Sequence, residues 1–259
     1  MPAFLKRDGT WAGEGVAEIG NRGDIEPVWR KISCAHLLPS TLRRARHTGW
    51  RYALTKTRMR RPAIQLQAAA TGQPANCALL CRKGEAVAGI TAVAVETTSA
   101  TGPASVVRVI QHEEMTSVAT ALAKSLGSNG FFGVDFILSE TGEAFFLEIN
   151  ARPTPIALLP VAGGTDLIAA LFATMSDSPA TAREPIARDL IALFPQEISS
   201  DANSPHLANA HHYLPADEPR LIAAARSNDQ RVWREGADRA SEETEAHPRF
   251  PPIGQILPS

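Results

Sequence analysis

The sequence predicts an α+β fold of antiparallel sheets with packed helices, and three observations carry that reading. Short apolar or alternating runs are separated by turn residues, as strands joined in hairpins are. From Ala63 onward several such runs follow one another as an antiparallel meander. Residues 113–126 instead space their apolar side chains at helical intervals.

Residues 1–20 read as the strand Ala3-Phe-Leu-Lys6, a glycine-rich turn and the strand Gly15-Val-Ala-Glu-Ile19. Residues 26–62 are basic and poor in strand signals, with Arg43, Arg44, Arg46, Arg51, Lys56, Arg58, Arg60 and Arg61 accumulating there. That run reads either as a phosphate or nucleic-acid patch or as a solvated amphipathic helical insertion. Trp50 and Tyr52 are its only aromatics after residue 30 and make a poor stacking platform, which favours the insertion. The meander comprises Ala63-Ile-Gln-Leu-Gln67, Asn76-Cys-Ala-Leu-Leu-Cys81, the turn Lys83-Gly84-Glu85 and the run 86–95. Ser105-Val-Val-Arg-Val-Ile110 adds a strand. The helix at 113–126 turns Met115, Val118, Leu122 and Leu126 to one side and is stopped by Gly127. Residues 166–175 read as an apolar helix, 187–194 as an apolar segment, and 218–226 as a last helix. The charged, then proline-rich residues 228–259 read as a loosely ordered tail.

The chain has 259 residues, of which 44% are hydrophobic, enough for one large domain or two small ones. A formal net charge of −1 gives no global pull toward nucleic acid or anionic lipid. The three cysteines, Cys34, Cys77 and Cys81, make no disulfide framework and no paired metal-ligand motif, so they read as buried reduced thiols. There is no apolar leader at the start and no run of about 18 apolar residues, so the expectation is a cytoplasmic protein without membrane or nucleic-acid partners.

The chemistry concentrates in one hairpin. Phe131-Phe-Gly-Val-Asp-Phe-Ile-Leu138 and Ala144-Phe-Phe-Leu-Glu-Ile-Asn150 are strand-like, with Ser139-Glu-Thr-Gly-Glu143 as the turn between them. Centring the turn on Thr141-Gly142 sets Asp135 opposite Glu148 and Gly133 opposite Asn150, leaving space above the glycine. Alternation then predicts one apolar core face of Phe132, Val134, Phe136, Leu138, Phe145, Leu147 and Ile149, and an opposite face carrying Asp135, Glu148 and Asn150. Like charges directly opposite on paired strands are destabilising. Either one carboxyl holds a proton or a hard divalent cation takes oxygens from all three side chains. The alternative is a solvated sheet face whose acids bind nothing.

Near the start, Lys6-Arg-Asp-Gly-Thr-Trp-Ala-Gly-Glu-Gly-Val16 ends a strand with a lysine and places Gly9, Gly13 and Gly15 in the turn. Glycines let backbone N–H groups approach an anion, and the lysine supplies a point charge. A hairpin with an incidental lysine is the other reading, because the lysine precedes the glycines and a strand follows, unlike a Walker-type loop.

Together these pieces resemble the ATP-grasp superfamily, whose members hold ATP between two α+β subdomains and usually form acyl-phosphate intermediates. The resemblance covers residues 1–175. It rests most on Asp135 followed thirteen residues later by Leu147-Glu-Ile-Asn-Ala-Arg152, the family's metal and phosphate motif. Thr101-Gly-Pro-Ala-Ser-Val-Val-Arg108 and Ala192-Leu-Phe-Pro-Gln-Glu197 are similar to a bacterial group related to carbamoyl-phosphate synthase large subunit and biotin carboxylase. The resemblance implies metal ligation by Asp135, Glu148 and Asn150, with Mg²⁺ as the ion and Mn²⁺ as its substitute. It implies phosphate neutralisation by Lys6 under the loop of Gly9, Gly13 and Gly15, and adenine contacts from Gln67 and Ala70. Arg152 would stabilise charge on the transferring phosphoryl group, its alternative being an ion pair with Glu148. The implied organisation is a glycine-rich-loop subdomain at 1–65, a metal and phosphate subdomain at 66–175, a helical extension at 176–227 and the tail at 228–259. Family members usually carry an N-terminal α/β domain before the glycine-rich loop, which here begins six residues from Met1. The resemblance therefore implies an N-terminally truncated fold whose substrate surface belongs to a missing domain or a partner chain. It also leaves the strand of Lys6 with an unpaired edge. The implied function is an ATP-dependent carboxylate ligase, of carboxylate–amine or carboxylate–thiol type, acting on a small carboxylate. A truncated non-catalytic nucleotide-binding module, half of a two-chain enzyme, and a plain α+β interaction domain are the alternatives.

Overall fold

The computed structural model of the chain describes residues 2–8, 15–33, 63–161, 166–176, 183–212, 214–215 and 217–227. Within them the strands form a small and a large sheet. The small sheet holds β1 (Ala3–Arg7), β2 (Val16–Ile19) and β3 (Ile64–Ala68) in the order β2-β1-β3, all antiparallel. Helix α1 (Ile25–Ser33) packs on one face of it, where Leu5, Ile19 and Ile32 are buried together. The expected open edge beside Lys6 is absent, because β1 is the middle strand: β2 pairs with one side and β3 with the other. The missing neighbour comes from far along the chain, and β3 crosses the boundary expected at 65/66. Only the beginning of the basic stretch is described, as α1, with an exposed Arg30–Glu26 pair at 2.6 Å; residues 34–62, including Cys34, lie outside the described residues.

The large sheet follows the order β10-β9-β6-β5-β4-β7-β8. Its strands are β4 (Gln73–Arg82), β5 (Glu85–Thr97), β6 (Ala104–Ile110), β7 (Gly130–Leu138), β8 (Ala144–Asn150), β9 (Leu190–Ala192) and β10 (His211–His212). Strands β4, β5 and β6 form the expected meander, with a tight turn at Lys83 and Gly84, whose φ angles of 51° and 84° suit a type I′ hairpin. Strand β7 then returns to the free side of β4. The segment expected as a helical extension, 176–227, supplies β9, which pairs with β6, and β10, which runs parallel to β9. Sheet pairing thus continues beyond residue 175, alongside three short helices, α4 (Gln196–Ser200), α5 (His206–Asn209) and α6 (Pro219–Ser227). The tail at 228–259 lies outside the described residues.

Both faces of the large sheet are covered. Helix α2 (Glu113–Ser125) lays Met115, Ala119 and Ala123 on Cys77, Leu79, Val134 and Phe136. The two alanines bring the helix close, Val118 and Leu122 flank them, and Leu126 falls beyond the last turn, exposed rather than in the predicted stripe. On the opposite face, Ile156, Ala157 and Leu159 and helix α3 (Leu167–Met175) cover Ala78, Leu80, Ala92, Val107 and Ile191. Cys77 and Cys81 are unpaired and buried, as expected. Burial pushes the Cys77 thiol up to about 12, so it stays protonated and inert. No helix of the described residues is long and apolar enough to cross a membrane.

Asp166 fixes the start of α3. Its Oδ1 accepts from the backbone N–H groups of Ile168 and Ala169, and the Arg183 guanidinium closes on both carboxylate oxygens at 2.7 and 2.9 Å. Those bonds hold its carboxyl well below the usual carboxylate range. The folded-state pKa is depressed, so the stabilisation is complete above the unfolded value and is lost as pH falls through the folded one. Asp166→Asn is expected to cost about 1–3 kcal/mol at neutral pH, with the gap to the parent narrowing below about pH 4, as urea unfolding across pH measures.

Candidate functional site

Three strands in register set the site. Asn76 on β4 pairs with Asp135 on β7, and Asp135 pairs with Glu148 on β8, so one polar row crosses the sheet. The next row is Ala78, Gly133 and Asn150. The predicted opposition of Asp135 and Glu148 therefore holds. It is reached differently near the turn, where the register shifts and Leu147 becomes the extra residue of a bulge: Phe136 pairs with Phe146 and Ile137 with Phe145. The shift moves Phe145 to the acid face. It also breaks the expected apolar core face, since β8 is an edge strand and leaves Phe145, Phe146 and Ile149 at 38%, 46% and 36% exposure. The core is made by the β7 side of the hairpin, where Phe132, Val134 and Phe136 are buried.

Asp135 is held by amides on both sides. Asn76 Nδ2 donates to Asp135 Oδ1 at 2.6 Å and Asn150 Nδ2 donates to Asp135 Oδ2 at 2.7 Å. Asn150 thereby turns its N–H group to the acid and leaves its carbonyl oxygen as a donor atom for a cation. Asn76 is braced in turn: its Nδ2 also donates to the Val134 carbonyl at 3.2 Å, and its Oδ1 accepts from the Thr154 hydroxyl at 2.8 Å. Thr154 is buried and reaches Asn76 across Gly133, where an added Cβ would lie 2.5 Å from the threonine methyl. The space expected above Gly133 is thus filled by Thr154. Asn76 and Thr154 were not singled out as site residues. The signal available for Asn76 was a polar side chain at the head of an otherwise apolar strand.

The charges around Glu148 are opposed. Partial burial raises its carboxyl above the usual range, the Asp135 charge and a hydrogen bond to Asp135 raise it further, and the Lys6 and Arg152 charges pull it back. Lys6, on the small sheet, and Arg152, in the bend after β8, therefore both act on the acid pair. Strand β8 ends at Asn150, so Arg152 does not continue its face; its guanidinium is exposed, and Nη1 donates to the Pro153 carbonyl at 3.3 Å. Gly15 opens β2 with φ 75°, and its carbonyl accepts from the Arg7 N–H at 3.0 Å. Gly9 and Gly13 lie outside the described residues. Gln67 sits on β3 opposite Phe4 and Ala70 on the connection to β4, both half-buried, and neither is hydrogen-bonded to the acid row.

The donor set fits a hard divalent cation: two carboxylates and an amide oxygen, with a raised Glu148 that a bound positive charge would relieve. Among the described residues no three His, Cys, Asp or Glu side chains gather as a metal site.

Residues 56–155 match the family model of the ATP-grasp domain. That stretch, under half of the chain, is similar to an ATP-grasp domain. The matched stretch contains Asn76, Asp135, Glu148, Asn150, Arg152 and Thr154, and begins after Lys6. A comparison with curated proteins finds no match. Among solved structures, this chain is similar to the biotin carboxylase domain of Hydrogenobacter thermophilus 2-oxoglutarate carboxylase, in complex with MgADP, ADP and bicarbonate. Identity is 16% and the TM-score 0.43, over 60% of this chain and 31% of that one. It is also similar to Aspergillus clavatus N5-carboxyaminoimidazole synthase in complex with ADP and its ribonucleotide, at 16% identity and TM-score 0.45, over 70% of this chain and 42% of that one. Coxiella burnetii D-alanine-D-alanine ligase matches at 14% identity and TM-score 0.37, over 57% of this chain and 34% of that one. The chain thus spans about a third of the length of the first of these structures.

Gly133→Ala tests how tightly the site is packed. The new methyl group has to displace the Thr154 side chain, and chemical unfolding is expected to register a loss of about 1–3 kcal/mol.

Proposed function

We propose that the acid row is the metal and phosphate end of an ATP site, in a protein of an ATP-dependent carboxylate ligase lineage that works through an acyl-phosphate. The observation that carries this reading is the convergence on Glu148 of one neighbouring acid, Asp135, and two cations from separate elements, Lys6 and Arg152. Two acids alone suit a metal; two acids with flanking cations suit a metal bound together with phosphate oxygens.

A bound Mg²⁺, or Mn²⁺ in its place, would supply positive charge to the phosphate oxygens and fix their arrangement. Asp135, Glu148 and Asn150 hold that position with oxygens, Asp135 being oriented by its two amides. Lys6 offsets phosphate charge as a compact ammonium, beside the turn that contains Gly9, Gly13 and Gly15. Gln67 and Ala70, on the segment linking the two sheets, contact the adenine. Arg152 stands after the strand end, where its exposed guanidinium would stabilise charge on the γ-phosphoryl group. A small carboxylate substrate attacks the γ-phosphorus, ADP leaves, and an amine or thiol then displaces phosphate from the acyl-phosphate. Catalysis of this kind rests on positioning and electrostatics. The substrate surface is completed by a further domain or partner chain, and the setting is cytoplasmic.

Calorimetric titration with ATP, with and without Mg²⁺, tests the site. Magnesium-dependent binding is expected. Glu148→Ala should lower that magnesium-dependent affinity by more than about tenfold, since loss of an outer-shell partner alone commonly costs ~10–100-fold. Its unfolding midpoint should not fall, because the change removes a like-charge contact. Unchanged Mg-ATP affinity in this variant rules out Glu148 as a ligand, and binding without carboxylate-stimulated phosphate release points to a nucleotide module that does not turn over.

A further inference from the structure

We propose that Thr154 and Asn76 are positioning residues for the metal end of the site, forming a relay that orients Asp135 and ties the Arg152 bend to it. The inference rests on the reading of Asp135 as a metal ligand and deepens it.

The relay runs in one direction, and its geometry leaves no choice of roles. The Thr154 hydroxyl donates to Asn76 Oδ1 at 2.8 Å. The Val134 carbonyl and the Asp135 carboxylate only accept, so the end of the Asn76 amide that faces β7 is Nδ2, with one hydrogen to Val134 O at 3.2 Å and the other to Asp135 Oδ1 at 2.6 Å, and the hydroxyl is the donor to Oδ1. With Asn150 Nδ2 on Oδ2 at 2.7 Å, each Asp135 oxygen accepts one amide hydrogen. The carboxylate can no longer rotate, and each oxygen keeps lone-pair capacity for a further partner on the side where Glu148 stands.

Without the threonine hydroxyl, Asn76 Oδ1 loses its donor in a half-buried place. The amide then has a competing orientation that sets its oxygen against the Asp135 oxygen, a repulsive contact in place of a charge-assisted bond. Thr154 is among the few buried polar side chains among the described residues, so its hydroxyl has no ready substitute in water. The glycine at 133 is part of the same device, since a Cβ there would lie 2.5 Å from the threonine methyl.

The relay also fixes the chain that leaves β8. Between Asn150 and the 3₁₀ turn at Pro155–Leu158 the backbone bends, and Arg152 lies in that bend. Asn150 anchors one end of the bend to Asp135, and Thr154 anchors the other end to Asn76. Arg152 is thus held between two anchors that converge on a single carboxylate, which couples the phosphate-facing arginine to the orientation of the metal ligand.

The test uses the full chain and separates metal dependence from nucleotide binding. ATP affinity is measured by calorimetry across a Mg²⁺ series for the parent, Thr154→Val and Thr154→Ser. Thr154→Val keeps the shape and removes the hydroxyl; it should weaken the magnesium-dependent gain in affinity about 10–100-fold, more than it weakens metal-free ATP affinity. Thr154→Ser keeps the hydroxyl and should restore the magnesium dependence. Should Thr154→Val not fold, Asn76→Ala removes the same relay from its other member and is read in the same way. Equal magnesium dependence in Thr154→Val and the parent overturns the inference while leaving the site reading intact. A loss in Thr154→Ser that Thr154→Val does not share overturns it in favour of methyl packing over Gly133. A parent that shows no magnesium dependence overturns the site reading itself, and the relay with it.

Discussion

Two carboxylates placed opposite each other on paired strands repel, and the site is organised around that repulsion. Asp135 and Glu148 cannot move apart without breaking the β7–β8 register. The surroundings therefore answer the charge from three directions: amides from Asn76 and Asn150 in the plane of the sheet, Lys6 from the small sheet, and Arg152 from the bend after β8. The Glu148 carboxyl remains above its ordinary range after all of these, which leaves the pair unsatisfied electrostatically. In the proposed reading a bound cation would meet that residual demand for positive charge.

The two acids are held to different degrees. Asp135 lies on a strand flanked on both sides, backed by the Phe132, Val134 and Phe136 core and by α2. Glu148 lies on the last strand of the sheet, beside a bulge, with exposed aromatic residues around it. The tip of that hairpin is tied to the start of α2, where the His112 ring meets the Gly142 carbonyl at 3.0 Å and Glu114 accepts from the Ala144 N–H at 3.1 Å. Those bonds steady the turn end of β8; the Asn150–Asp135 bond steadies the other.

How much of this the sequence disclosed depends on the range of each contact. The hairpin is local, so its turn residues and alternation located the Asp135–Glu148 opposition and the Gly133–Asn150 pair. The Leu147 bulge left no trace, because an extra residue in an apolar run does not alter its composition, and that is why Phe145 was expected in the core. The Asn76 bonds span 59 residues to Asp135 and 78 to Thr154, and they exist only because β7 returns beside β4, a pairing that no turn signal announces. The same cause hid the partner of β1, supplied by β3, and the strands β9 and β10, too short to show a period. Lys6 was legible as a possible phosphate cation from the glycine-rich turn after it, but its effect on Glu148, which joins the two sheets, was not.

An edge strand exchanges its amide hydrogens more readily than the strands it leans on, since half of its backbone groups face no neighbour and its local opening exposes little apolar surface. Strand β8 can therefore detach from β7 while Asp135, Asn76 and the core beneath them remain folded. Such an opening carries away Glu148 and Asn150 together and divides the proposed ligand set in two. Any ligand that bridges Asp135 and Glu148 closes this equilibrium, so occupancy should be written in slowed hydrogen exchange along β8 well before it registers in the global unfolding of the chain.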